Sequence, residues 1–301
     1  MTPLQRYIAE EIAIDHVDGL LSRREALRRL ALLGVGATAA TALIAGCSDN
    51  RQPEAQTTAT SAPDTVDGPP GAQNAVQTTP ITWPGPRGEL QGAWAEASDP
   101  RGAVLVIHEN KGLNDHIRSV AGRLAGTGYS ALAIDLLSGQ GGTGAFADPA
   151  EATAALSKIP PRDAVADMRS GIDELSRRVP DRKLAAVGFC MGGAMVWRLL
   201  NAGEPRLSAA VPFYGPAPKN ADFSKSKDVA VLGIYAAQDE RVNVTEPVAR
   251  AALEGAGMVF ELVTEPDANH AFFNDTGQRY NAAAAADAWR RVQDWFARYV
   301  A

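Results

Sequence analysis

The chain is 301 residues long and 46% hydrophobic, with 29 basic against 35 acidic residues and a net charge of −6. That length and apolar content suit one large α/β domain, and the lack of a basic excess excludes a protein built to neutralise nucleic-acid phosphates. Two cysteines, Cys47 and Cys190, allow at most one disulfide, and the four histidines at 16, 108, 116 and 270 form no HExxH or other ligand spacing, so no metal centre is expected.

Residues 1–47 read as an export signal. Ser22-Arg23-Arg24-Glu25-Ala26-Leu27 resembles the twin-arginine signal. A moderately apolar stretch rich in Ala and Gly runs from Leu30 to Ala45, short for a membrane span. Leu43-Ile44-Ala45-Gly46-Cys47 then resembles a bacterial lipobox, which implies cleavage before Cys47 and a lipid on its sulfur. An uncleaved anchor or an amphipathic helix is the alternative, and the leader ahead of the arginines, Met1 to Leu21, is longer than most such regions. The expectation is a protein that passes through export machinery and is held to a membrane only by a lipid anchor, facing the periplasm or the cell exterior. Residues 48–80 change to Ser, Thr, Ala, Pro, Gln and Gly, a composition that buries no core and reads as a flexible linker.

The main domain is expected over 81–301. Two short strands, Ile81–Trp83 and Leu90–Trp94, flank a turn-rich Pro84–Gly88 and predict an edge hairpin. Ala103–Ile107 is a continuous apolar run, the mark of a strand buried on both faces. A helix over Asp115–Gly126, a strand over Tyr129–Ile134 and helices over Pro149–Ser157 and Asp163–Val179 follow. Strands over Leu207–Tyr214, Val229–Tyr235 and Met258–Thr264, a helix over Val244–Ala256 and a closing amphipathic helix over Asn281–Tyr299 complete the pattern. Strands alternating with helices predict a mostly parallel sheet with helices on both faces, as in the α/β-hydrolase fold. Gly139–Gly144, reading GQGGTG, suggests a phosphate loop but lacks the Lys-Ser/Thr ending; a mobile loop near the site mouth is the other reading.

The chemistry centres on KLAAVGFCMGGAMVWRLL, residues 183–200. An apolar strand ends at Gly188-Phe189-Cys190-Met191-Gly192, and a helical pattern starts at once. G-x-C-x-G in that context is the cysteine form of the nucleophile elbow. Glycines at 188 and 192 make room for a sharp reversal at Cys190. The amide of Met191, at a helix N-terminus, can serve in an oxyanion hole and favours the thiolate. A small buried cysteine in a glycine-rich turn is the plainer reading. Asp239 and His270 each follow a predicted strand, so the chain order is nucleophile Cys190, acid Asp239, base His270, the order found in α/β-hydrolases.

Beyond about Trp83 the chain resembles the dienelactone hydrolase (carboxymethylenebutenolidase) family in IHENKGLNDHIRSVAGRLAGTGYSALAIDLL, VGFCMGG, FYGP, GIYAAQDERV and NHAFFNDTGQRYNAAAAADAW. The resemblance implies ester or lactone hydrolysis through an acyl-thioenzyme, without a cofactor and with a small-molecule substrate. It further implies that Glu109 contacts the resting Cys190 and helps form the thiolate, and that the Asn110 amide joins that of Met191 as oxyanion donor. His108 reads as structural. The family's arginines for a substrate carboxylate have no counterpart here: Ala271-Phe272-Phe273-Asn274-Asp275 contains none before Arg279, and neither does the loop from Leu136 to Ala147. Dienelactone itself is therefore not the expected substrate. Asn274, Asp275, Arg279 and Tyr280 form either a different recognition edge or a cap for the last helix. Two other functions fit the pattern, a thioesterase or peptidase with the same triad and a non-catalytic surface-binding lipoprotein.

Overall fold

The computed structural model describes residues 1–49 and 68–301. Residues 50–67, most of the expected linker, lie outside the described residues. In chain order the elements are α1 (Pro3–Val17), α2 (Arg23–Leu32), α3 (Ala37–Asp49), β1 (Thr79–Gly85), β2 (Gly88–Ala95), β3 (Gly102–Ile107), α4 (Asp115–Gly126) and β4 (Tyr129–Asp135). There follow α5 (Pro149–Ser157), α6 (Pro161–Arg178), β5 (Leu184–Phe189), α7 (Met191–Asn201), β6 (Leu207–Phe213) and β7 (Ala230–Ala236). The chain closes with α8 (Glu240–Asn243), α9 (Glu246–Gly255), β8 (Phe260–Glu265) and α10 (Ala282–Tyr299).

These elements form two compact units. The smaller comprises the N-terminal helices and residues 146–158, which include α5. Its helices start at side-chain caps: Thr2 and Gln5 form a capping box on α1, and Ser22 accepts from the Glu25 amide on α2. Glu25 holds Arg28 and Arg29, and Arg28 also reaches Asp148 at 2.7 Å, tying α2 to the start of α5. The apolar stretch expected from Leu30 to Ala45 is divided between α2 and α3, with Gly34 at φ 80° in the break. No helix among the described residues is long and apolar enough to cross a membrane. Arg23 and Arg24 are exposed at the start of α2, and Cys47 falls in the last turns of α3, its side chain outside those described.

The larger unit, Gly68–Ala145 with Ile159–Ala301, is an α/β-hydrolase fold. Among the described residues its sheet has eight strands in the order β1-β2-β4-β3-β5-β6-β7-β8. The β1–β2 hairpin and the β2–β4 pair are antiparallel; every other pairing is parallel. Strands β3, β4, β5 and β7 are buried at every position, which is why their sequences run continuously apolar rather than alternating. Helices cover both faces, as such strands require. The edge strands β1 and β8 keep exposed positions.

Residues 68–78, at the end of the expected linker, run along α4. Val76 N–H donates to Gly122 O at 2.9 Å, and a Cβ at Gly122 or Gly126 would strike the backbone of Val76 or Asn74. The small residues of α4 therefore make a groove for that strand of chain.

Candidate active site

Strand β5 delivers the chain to Cys190, which has φ 55° and ψ −115° before α7 begins at Met191. A non-glycine residue rarely adopts positive φ, and holding it there requires the surroundings to over-determine the turn. They do. A Cβ at Gly188 would collide with the carbonyl of Gly192, and one at Gly192 with the carbonyls of Ile107 and His108. Cys190 N–H donates to Phe213 O at 3.1 Å, pinning the bend to β6. Ile107 pairs with Gly188 across β3 and β5, so the loop carrying Glu109 and Asn110 and the elbow carrying Cys190 and Met191 lie on adjacent strand ends.

Two further loops are joined backbone to backbone. Ala237 N–H donates to Glu265 O at 3.0 Å and Gln238 N–H to Ala268 O at 2.9 Å. This links the turn after β7, which carries Asp239, to the turn after β8, which carries His270. The two side chains meet: His270 Nδ1 lies 2.5 Å from Asp239 Oδ2, both residues being buried. Burial alone would raise the Asp239 carboxyl, but the charge and hydrogen bond of His270, with help from Arg241, bring it below the ordinary carboxylate range. A ring nitrogen of His270 is within 4.8 Å of Cys190 Sγ. Tyr214 sits edge-on to the imidazole at 5.2 Å, and Phe273 stacks on Phe189 at 5.4 Å, so aromatic contacts seat the histidine loop against the elbow strand.

Glu109 is buried, and its Oε2 accepts from Asn274 Nδ2 at 2.7 Å. His108, next to it, is wholly buried and desolvation pushes its pKa down. Leu136 N–H donates to His108 Nε2 at 3.1 Å, so Nδ1 carries the proton and donates to the Glu109 carbonyl at 2.6 Å. Its job is structural, joining the ends of β3 and β4.

The pairing of Asn274 with Glu109 has no signal in local sequence, since 165 positions separate the two. The same holds for Asp275, whose carboxylate is taken by two side chains of α4. Arg123 Nη2 donates to both of its oxygens at 2.9 Å and His116 Nδ1 to one at 2.8 Å. The N-cap of α10 is instead Asn281, whose side chain accepts from Ala284 N–H. The GQGGTG loop is already occupied by an anion of its own fold: Thr143 N–H donates to Asp135 Oδ2 at 2.6 Å and Thr143 Oγ1 to Oδ1 at 2.9 Å. That favours a structural turn over a phosphate cradle.

Glu265, at the end of β8, is 2% exposed, and burial followed by the charge of Asp287 raises its pKa from 4.5 to about 7. A carboxyl raised in the folded state contributes stability below its unfolded value, and that contribution is lost as pH rises through the folded value. Wild type should therefore lose on the order of 3 kcal/mol between pH 4.5 and 8 from this group. Glu265→Gln, neutral throughout, should lack that decline in urea unfolding at pH 5 and 8; parallel curves for the two proteins would count against it.

Comparison with known proteins adds to this geometry. Residues 90–300 match the model of the dienelactone hydrolase family. An Escherichia coli K12 protein named "Putative carboxymethylenebutenolidase" is 34% identical over 216 residues, covering 68% of this chain and 79% of the relative. Among solved structures, the "Putative Dienelactone Hydrolase" of Klebsiella pneumoniae superposes with a TM-score of 0.64 at 31% identity, covering 74% of this chain and 99% of that one. A dienelactone hydrolase-like promiscuous phosphotriesterase from metagenomic libraries gives 0.58 at 26% identity, covering 75% and 100%.

Proposed function

The chain belongs to the dienelactone hydrolase family, and from that premise we propose that it hydrolyses a small ester or lactone through a Cys190–His270–Asp239 triad. The observation that carries the reading is the His270–Asp239 bond held beside Cys190 at the apex of a strained elbow. With Nδ1 given to Asp239, Nε2 is the imidazole atom available to the chemistry, and ionised Asp239 fixes that tautomer and steadies the imidazolium. His270 takes the thiol proton of Cys190 through Nε2, and Glu109 assists formation of the thiolate. The thiolate attacks the carbonyl carbon, and the tetrahedral oxyanion takes hydrogen bonds from the amides of Met191 and Asn110. Collapse expels the alcohol, which receives a proton from His270, and leaves an acyl group on sulfur. Water, deprotonated by His270, then attacks this thioester and releases the acid, with no cofactor involved.

The residue pattern of 22–47 supports the further proposal that the enzyme is exported and lipid-anchored at Cys47. The catalytic proposal is tested by acid-quenching the enzyme during turnover of an activated ester and weighing its peptides. The expected result is one acyl mass on the Cys190 peptide that disappears on longer incubation. An acyl group found on another residue, or turnover with none trapped under burst conditions, would remove the thioester step.

A further inference from the structure

Beside the hairpin edge of the sheet lies a cavity of about 250 Å³ that the chemistry above does not use. Its walls include Pro80 and Thr82 of β1, Gln91 of β2, Leu113 and Arg118 around the start of α4, and Asp135 at the end of β4. The pleat explains which side chains meet there. Thr82 and Gln91 are cross-strand partners, and Trp83, the next residue, points the other way to bond Ser170 of α6. Pro80, Thr82 and Gln91 therefore face the α4 side. Arg118 shares its helix stripe with Gly122 and Gly126, whose added Cβ atoms would strike Val76 and Asn74, so it lies on the face of α4 turned toward the chain entering β1. Backbone fills the groove over the two glycines; at Arg118 the stripe meets the cavity instead.

Three polar side chains reach that cavity unmatched. Arg118, Gln91 and Thr82 have no side-chain hydrogen bond or ion pair among the described residues. Arg118 and Gln91 are half-buried and Thr82 is exposed, so the cavity is open to solutes. Asp135 differs: it is buried, and Leu137 N–H, Thr143 N–H and the Thr143 hydroxyl already occupy its two oxygens. Asp115, three residues before Arg118 on α4, is exposed, so water and salt screen its charge. A guanidinium presents a planar fork that fits a carboxylate, and the Gln91 amide and Thr82 hydroxyl can bond a second polar group on the same molecule. The fixed carboxylate of Asp135 in the wall repels a dianion about twice as strongly as a monoanion. We infer that this cavity is a binding site for a small monocarboxylate carrying a hydroxyl or amide, a hydroxy acid being the simplest case. It stands at the same end of the sheet as Cys190, because Asp135 follows Ile134, which is level with Ile107 and through it with Gly188. Three strand spacings of about 4.8 Å, roughly 14 Å in all, separate β2 from β5, so the site is distinct from the elbow. Opening a lactone yields a hydroxy acid; that link to product rests on the hydrolase reading above, and the site itself does not.

The test titrates lactate into the full chain by calorimetry and follows the Arg118 Nε–H and Gln91 side-chain amide signals by NMR. The expected result is one-site binding that moves both signals, with lactamide, which lacks the charge, about tenfold or more weaker and phosphate at pH 8 weaker than lactate. Arg118→Gln should weaken lactate binding by about tenfold or more, the scale of a hydrogen bond to a charged group. Thr82→Glu, which sets a carboxylate opposite Gln91, should also block uptake while Arg118 stays in place. Both substitutions replace side chains that hold nothing else, so the thermal midpoint should stay close to wild type. Cys190→Ala, which alters the elbow alone, should bind lactate as wild type does. No binding, binding that Arg118→Gln leaves unchanged, or binding that Cys190→Ala abolishes would overturn the site and leave the hydrolase reading in place. Tighter binding of phosphate or lactamide than of lactate would overturn the monocarboxylate class.

Discussion

Cys190→Ala should lower kcat/KM for a good ester or lactone substrate by about 10⁴-fold or more, the scale seen when a covalent nucleophile is removed from a working triad. The loss should fall on kcat, because the residues that would bind substrate are untouched. The fold should survive. Alanine is smaller than cysteine, so it brings no new clash into the bend, and it inherits the φ of 55° without a change in branching. The backbone bond from residue 190 to Phe213 O does not involve the side chain. Circular dichroism and the thermal midpoint should therefore stay close to wild type while turnover vanishes. A variant that keeps a few per cent of wild-type activity would mean that hydrolysis does not pass through this thiol.

The largest effect on stability should come from Asp275→Asn. Arg123 is 1% exposed, and its charged partner among the described residues is the Asp275 carboxylate, whose two oxygens both accept from Nη2. Breaking a buried pair from one side strands the other charge, which typically costs about 3–5 kcal/mol. In a unit of this size that amounts to roughly 10 °C or more in the midpoint. The pH dependence gives a second check. Burial would raise the Asp275 carboxyl, but the His116 hydrogen bond and the Arg123 charge hold it at about 2, below its ordinary 3.8. A depressed carboxyl contributes stability that is complete above the unfolded value and fades as pH falls from about 4 toward 2. Wild type should lose on the order of 2 kcal/mol across that window, and the variant should not. Adding Arg123→Met to the variant should recover much of the loss, because the stranded charge is then gone. If the double variant is no more stable than the single one, the penalty lies elsewhere.

The features legible from residues alone were those whose cause is local. The unbroken apolar runs of β3 and β5 name buried strands because no exposed strand tolerates them. The elbow is readable because steric relief demands glycine at fixed offsets from Cys190. Asp239 and His270 are readable because strand ends are where this architecture presents side chains. What stayed hidden depends on contacts between distant segments. Nothing near Asn274 indicates that its amide will meet Glu109, and nothing near Asp275 indicates Arg123 on α4. The helix expected over Val244–Ala256 is present as α9, opened by Pro247 in its first turn, whereas the short α8 before it is not among the expected elements, because it is a single turn that Asp239 caps through its bond to Val242 N–H. Residues 68–78 carry the composition of a tether, yet the reason they lie against the domain resides in Gly122 and Gly126 of α4, outside the segment itself.

The glycines around the bend divide what can change in this protein from what cannot. Gly188, Gly192, Gly193 and Gly215 each press on backbone, so any larger residue must push main chain aside. Cys190 differs, because its awkward dihedral is imposed by the main chain around it and its side chain makes no cap hydrogen bond to α7. Exchanging sulfur for oxygen at that position would alter reactivity without asking the scaffold to move. The side-chain atom at residue 190 is thus the exchangeable component, and the bend that presents it is the fixed one.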